Sequence, residues 1–413
     1  MTDRKTLIVG SGVFGCSTAL HLLKRGWTNV TIIDKASTLP APDGASNDIN
    51  RIVRTSYSDP FYAKLGQEAI AAWRDQTEWD DAYHESGVFC ISGGDSTSDY
   101  AHKSYLNDLE LGERVEFMDA ADLWMPRMAP LRGYLNRDNG WANAGQGISV
   151  IMNKITALGG RILPGKEAKE LIKEGQKITG VRCSDGTVLE ADLVVLATGS
   201  WTESAFPAVR QGKLFQASGQ CVAMVQLTQE EGNEYRDYPV VLDFNSGFYI
   251  FPPNENNIVK MATHSAGYLH SVQGISTPRT ISSNPDDGLS IPKSEVKKLR
   301  DGLRTVYPAL AEKNFIATRL CWYNDSVDSD WVIGYKPDYE NSLFFATAGS
   351  GHGYKFLPIL GRLIADIIEG KSTDEVSAKF AVDREIKHVD ETRVDQMPRE
   401  LVIGELCVAE DLQ

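Results

Sequence analysis

The sequence predicts an α/β fold in which a parallel-sheet unit is interleaved with a second, antiparallel-sheet unit. Three observations predict it. A strand, a glycine-rich turn and a helix open the chain at residues 6–25. Two further apolar runs, Asp192-Leu-Val-Val-Leu-Ala-Thr-Gly-Ser200 and Leu343–Ala348, end in glycine as buried parallel strands do at a ligand-facing sheet edge. Between these pieces lie Val240–Phe251 and Ile258–Thr263, alternating and rich in aromatic and β-branched residues like antiparallel strands. A length of 413 residues, 42% apolar and 24% charged, allows two domains with ample core.

Taken in order, Thr6–Val9 is an apolar strand, and Gly10-Ser-Gly12-Val13-Phe14-Gly15 is G-x-G-x-x-G. Cys16–Arg25 then carries helical spacing through Ala19, Leu22 and Leu23. Glycines let a backbone approach a pyrophosphate, and the helix N-terminus offers free N–H groups and a positive dipole end. A second run, Val30–Ile33, ends in Asp34, an acid placed to accept from an adenosine ribose. Strand, turn, helix, strand and acid together make a dinucleotide site. The motif occurs once, and Pro40–Asn50 is a polar loop leading into Arg51-Ile-Val-Arg54, which favours a flavin over a nicotinamide. Ile178–Leu189 alternates around Ser184-Asp-Gly186 as a hairpin. Gly349-Ser-Gly351-His352-Gly353-Tyr-Lys355 leads into a helix over Phe356–Glu369, with Pro358 in its first turn. The expected division is a dinucleotide unit of 1–85, 146–214 and 321–385, a second unit of 86–145 and 215–320, and a charged surface extension, 386–413.

Net charge excludes some partners. With 42 Lys+Arg against 56 Asp+Glu the formal charge is −14, so neither nucleic acid nor an anionic membrane surface is expected as a partner. No stretch of 18 uninterrupted apolar residues exists to span a membrane. Six scattered cysteines, none in C-x-x-C spacing, read as reduced thiols, and no metal site is expected. The expected location is the cytoplasm, since Asp411-Leu-Gln413 is not a Ser-Lys-Leu signal.

The opening motif, Asn50-Arg51-Ile-Val-Arg54, Val259-Lys260-Met-Ala-Thr-His264, Arg319-Leu-Cys321-Trp-Tyr323 and Gly349–Pro358 occur in an order that resembles the monomeric sarcosine oxidase family. That family includes L-pipecolate oxidases, L-saccharopine oxidases and fructosyl amino acid oxidases (amadoriases). The resemblance covers roughly residues 5 to 370 and implies a p-hydroxybenzoate-hydroxylase-like fold. It implies a monomeric FAD enzyme that oxidises a secondary-amine amino acid to an imine and reduces O2 to hydrogen peroxide. Cys321 matches the cysteine tethered to the flavin, and Lys260 the lysine that assists oxygen reduction near flavin N5. Arg51 matches a basic residue over the flavin. Arg54 and Lys355 match the pair that holds the substrate carboxylate, a task suited to arginine's planar fork. His264, Tyr249, Tyr323 and Gly351 match substrate-pocket positions. Lys35, Ser46, Gly199, Gly349, His352, Gly353 and Lys355 join the opening motif and Asp34 as cofactor contacts. Trp322 and Phe251 are read as core.

Amadoriases carry glutamate where His264 stands and tend to lysine where Arg51 stands, which disfavours a deglycating activity. Lys355-Phe-Leu-Pro358 and Leu320-Cys-Trp322 look like the fungal branch. The leading expectation is an oxidase of a pipecolate, saccharopine or N-methyl amino acid kind. The alternatives are an amadoriase and an FAD dehydrogenase with an acceptor other than oxygen.

Overall fold

A computed structural model describes residues 3–91, 99–118, 127–129, 131–209, 214–390, 392–395 and 397–413. We label its principal elements β1 (Thr6–Val9), α1 (Val13–Lys24), β2 (Val30–Ile33), β3 (Arg51–Val53), α2 (Pro60–Trp73), β4 (Arg161–Leu163), β5 (Leu193–Leu196), β6 (Phe215–Gln226), β7 (Phe248–Ile250), β8 (Ile258–Thr263), β9 (Phe315–Ser326), β10 (Val332–Tyr335), β11 (Leu343–Thr347) and α3 (Leu360–Ile368).

The parallel sheet has the order β10-β11-β5-β1-β2-β4, with only β10 antiparallel to its neighbour. Its central strands β1, β2, β5 and β11 are buried at every position, as expected of strands covered on both faces. Helix α1 packs between this sheet and α3, where a side chain at Gly361 would meet Ser17 O at 1.8 Å. The hairpin around Ser184–Gly186 forms, pairing Lys177–Cys183 with Val188–Glu190.

Strand β6 lies at the centre of the larger, ten-stranded sheet and pairs antiparallel with both β8 and β9. Strand period two sorts its side chains. Phe248, Ile250, Val259, Met261, Leu320 and Trp322 pack in one cluster with Val296, Leu299 and Leu303 of the amphipathic helix Lys293–Val306. The intervening residues Tyr249, Lys260, Ala262, Cys321 and Tyr323 therefore share the opposite face. A third sheet pairs β3 with Gly140–Ala142, so Arg51 begins a strand rather than sitting in a loop.

Two expected elements are redrawn. Val240–Phe251 is two strands, Val240–Asp243 and β7, because Asp243 caps a turn through Asn245 and Ser246 and Gly247 adopts φ +70°. The helix expected over Phe356–Glu369 starts at Leu360, after a short 3₁₀ turn at Tyr354–Phe356, so Pro358 precedes it.

Candidate active site

The first cavity, about 760 Å³, runs along the C-terminal ends of β1, β2, β5 and β11. Gly10, Gly12, Val13, Phe14, Asp34, Lys35, Ser46, Gly199, Gly349, Gly351 and Gly353 line it. Gly10 has φ +107°, and a Cβ there would lie 2.4 Å from Ala197 O, so the turn requires glycine. Gly15 lies behind the cavity, where a Cβ would fall 1.9 Å from Gly10 O, and it lets α1 close on β1. Helix α1 begins at Gly12 without a side-chain cap; the Val13 N–H goes to Ser46 Oγ at 2.9 Å. Asp34 takes the Ser11 N–H at 2.8 Å, the Ser11 hydroxyl at 2.7 Å and the Ala36 N–H at 2.9 Å. It therefore braces the glycine turn as well as facing the cavity. Lys35 sits 3.7 Å over the Trp201 ring. The glycine cradle, the uncapped helix start and the elongated cleft fit a dinucleotide.

At one end of this cavity lies a buried charge cluster. Lys260 donates to Asp48 Oδ2 at 3.0 Å and to Asn50 O at 2.6 Å. Arg51 pairs with the same Asp48 oxygen, donates to Ala45 O at 2.7 Å and contacts Cys321 Sγ at 3.4 Å. Burial pulls the Lys260 ammonium down to about 7 despite Asp48. Burial would raise Asp48, but Arg51, Lys260 and Arg319 together outweigh it and hold the carboxyl well below its usual range. Cys321, on β9, is buried against Arg51 and lines neither cavity. Asp48 was not singled out in the sequence; the signal was an acid three residues before Arg51.

A second cavity, about 720 Å³, adjoins the first and shares Arg51, Tyr323, Ser350, Gly351 and Tyr354 with it. Arg54, Lys355, Tyr249, Lys260 and His264 also line it. The Arg54 guanidinium lies 4.5 Å over the Tyr57 ring, and its Nη2 donates to Tyr100 OH at 3.4 Å. Its buried Nη1 has no hydrogen-bond partner among the described residues. Lys355 donates to Tyr57 OH at 2.6 Å and to His352 O at 3.1 Å. His352 Nε2 lies 2.9 Å from Ser329 O, which only accepts, so the proton sits on Nε2. Nδ1 then accepts from Tyr57 OH at 3.2 Å. Burial, with Lys355 and Arg54 nearby, pushes His352 down to about 3 and keeps it neutral. Burial and Arg54 hold the Lys355 ammonium well below its usual range.

The family model for FAD dependent oxidoreductases (DAO) matches residues 5–367. The chain belongs to that family. It is 30% identical to L-saccharopine oxidase of Schizosaccharomyces pombe, across 90% of this chain and 92% of that one. It is 25% identical to N-methyl-L-tryptophan oxidase of Escherichia coli O139:H28, across 92% and 98%. Among solved structures, fructosyl peptide oxidase from E. terrenum superposes with a TM-score of 0.87 at 24% identity, covering 99% of this chain and 98% of that one. The family's cofactor is FAD, and the first cavity has the cradle for it.

Among the DAO family's expected contacts in this chain, His352 and Lys355 do not reach the FAD cavity. Both line the second cavity, because the 3₁₀ turn at Tyr354–Phe356 and the Ser329 contact direct them there. Trp322 packs in the core, yet it also touches the FAD cavity, with its indole N–H on Arg279 O at 2.7 Å. Phe251, also read as core, lies under Lys260 at 4.8 Å and walls the second cavity. His264 reaches the second cavity beside Thr392, with Nε2 to Oγ1 at 3.3 Å, and burial lowers it to about 3. Tyr57, Tyr100, Phe244, Asp390 and Thr392 line the same cavity without any local motif to announce them. Among the described residues no helix is long and apolar enough to cross a membrane, and no group of three or more His, Cys, Asp or Glu could hold a metal.

Proposed function

We propose that this FAD-dependent oxidoreductase is an oxidase of an N-substituted amino acid, such as pipecolate, saccharopine or an N-methyl amino acid, with O2 as acceptor. The observation that carries it is the placement of Arg54 and Lys355 together on the wall of a cavity that adjoins the FAD cradle. Two cations, Arg54 and Lys355, converge there on the space for one carboxylate, which needs a receptor in a chain of formal charge −14. FAD supplies the acceptor for two electrons from the carbon next to nitrogen.

The remaining roles fall to side chains. Arg54 offers its guanidinium to the carboxylate while Tyr100 and the Tyr57 ring fix its plane. Lys355, held by Tyr57 and His352, meets the same carboxylate. His264 and His352 are neutral and do not protonate the amine, which must keep its lone pair to be oxidised. Lys260, in its protonated form, is a cation against the negative charge that develops on oxygen, and Asp48 partly offsets the burial that favours loss of its proton. Arg51 covers Cys321, and we assign Cys321 as the residue that holds the flavin covalently once that guanidinium shifts.

Anaerobic mixing with pipecolate, saccharopine, sarcosine and fructosyl amino acids tests the reading. Bleaching of the flavin by at least one of the first three, with stoichiometric peroxide on readmission of air, is expected. Bleaching by fructosyl amino acids alone, or turnover only with an artificial electron acceptor, would replace it.

A further inference from the structure

Residues beyond 385 look in the sequence like a charged covering, yet their side chains reach the amine cavity. Asp390 and Thr392 line it, and the Asp390 N–H is fixed on Val327 O at 3.0 Å. Arg393, with its side chain only 8% exposed, forks onto Asp325 at 2.9 and 2.6 Å. Its Nε lies 3.4 Å from Asp390, Nη1 donates to Ser265 O at 3.2 Å, and Nη2 donates to Ser350 O at 3.4 Å. Asp390 in turn accepts from Ser329 Oγ at 2.5 Å.

Ser329 and Ser350 are the informative partners. Both hold left-handed backbone, φ +60° and +47°, a conformation that is unfavourable for a non-glycine residue and persists only when neighbours impose it. Ser350 sits in the turn that both cavities share. The Ser329 carbonyl fixes the His352 tautomer, His352 accepts from Tyr57, and Tyr57 accepts from Lys355. An unbroken hydrogen-bonded path therefore joins the C-terminal segment to the lysine assigned to the substrate carboxylate.

We propose that Asp390 and Arg393 are positioning residues of the amine site, holding Ser329 and Ser350 so that His352, Tyr57 and Lys355 present one fixed carboxylate receptor. This rests on the reading of Arg54 and Lys355 as that receptor. The ion pair spends its charge internally, Arg393 on Asp325 and Asp390, so the segment orients the receptor without competing with it for the substrate anion.

The test compares holoenzyme variants with an oxidisable substrate found as above and with methylthioacetate, a carboxylate without an amine, followed by its perturbation of the flavin spectrum. Asp390→Ala should raise both KM and the methylthioacetate Kd about tenfold, leaving the limiting rate of anaerobic flavin reduction within about twofold. Arg393→Lys should give a smaller shift in the same direction. Arg399→Ala is the control, since Arg399 anchors the same segment to Glu295 at 2.8 Å and lines neither cavity. It should leave KM and Kd unchanged. An unchanged Kd in Asp390→Ala, a loss confined to the limiting rate, or an equal effect in Arg399→Ala would overturn the proposal. Failure of the unaltered enzyme to be reduced by any carboxylate-bearing amine would overturn the functional reading instead.

Discussion

Lys260 Nζ lies 3.0 Å from Asp48 Oδ2, and each side chain is 1% exposed. Asp48 is shared with Arg51, so one carboxylate supports two cations at the junction of the two cavities. Removing it leaves both uncompensated. Asp48→Asn should cost about 3–5 kcal/mol of stability by chemical denaturation. Asp48→Asn/Lys260→Met should recover part of that loss, because the stranded charge is gone; no recovery would mean that the pair is not energetically coupled.

The same pair sets a pH dependence. Burial places the Lys260 ammonium at about 7, so the cation is present below that value and lost as pH rises through it. Stopped-flow reoxidation of reduced enzyme by oxygen should slow across that interval. Lys260→Arg, which stays charged, should flatten the profile, and Lys260→Met should slow reoxidation below that pH, converging on the unaltered enzyme above it, while sparing anaerobic reduction.

Arg54 lines the second cavity, and its Nη1 has no partner among the described residues, so loss of the side chain should appear in substrate binding. Arg54→Met should raise KM by roughly a hundredfold, about 2.7 kcal/mol. Arg54→Lys should recover little, since a point charge cannot reproduce the planar fork between the Tyr57 ring and Tyr100.

Cys321 Sγ rests 3.4 Å from the Arg51 guanidinium, at the junction of the two cavities. Acid precipitation of the holoenzyme should carry the yellow colour into the pellet. Cys321→Ser should release it to the supernatant. Colour in the supernatant for both proteins would exclude the tether.

Gly351 holds φ +75°, and a Cβ there would lie 2.6 Å from Tyr323 Cε2. Gly351→Ala should push Tyr323 aside at the wall both cavities share. The expected outcome is lowered flavin content with a loss of about 1–2 kcal/mol, read by absorbance and thermal unfolding.

The G-x-G-x-x-G turn, the buried strands β5 and β11 and the alternation of β8 were legible in the sequence, because each rests on local spacing: glycine where the backbone must turn or approach, period two where one sheet face is covered. The alternation around Lys260 was enough to place it opposite the core residues Val259 and Met261. It could not supply Asp48, because that partner is 212 positions away. The division of the cations was likewise a tertiary outcome, with Arg51 between the cavities, Arg54 and Lys355 in the second, and His352 on Tyr57 at the wall of the second. The C-terminal segment shows the limit most clearly. Arg393 and Asp325 are 68 residues apart, and nothing in their local sequences marks them as a pair. Local chain geometry determined the cradle; which charges face each other was decided by long-range packing, where a buried ion gains its partner only once the sheets close around it.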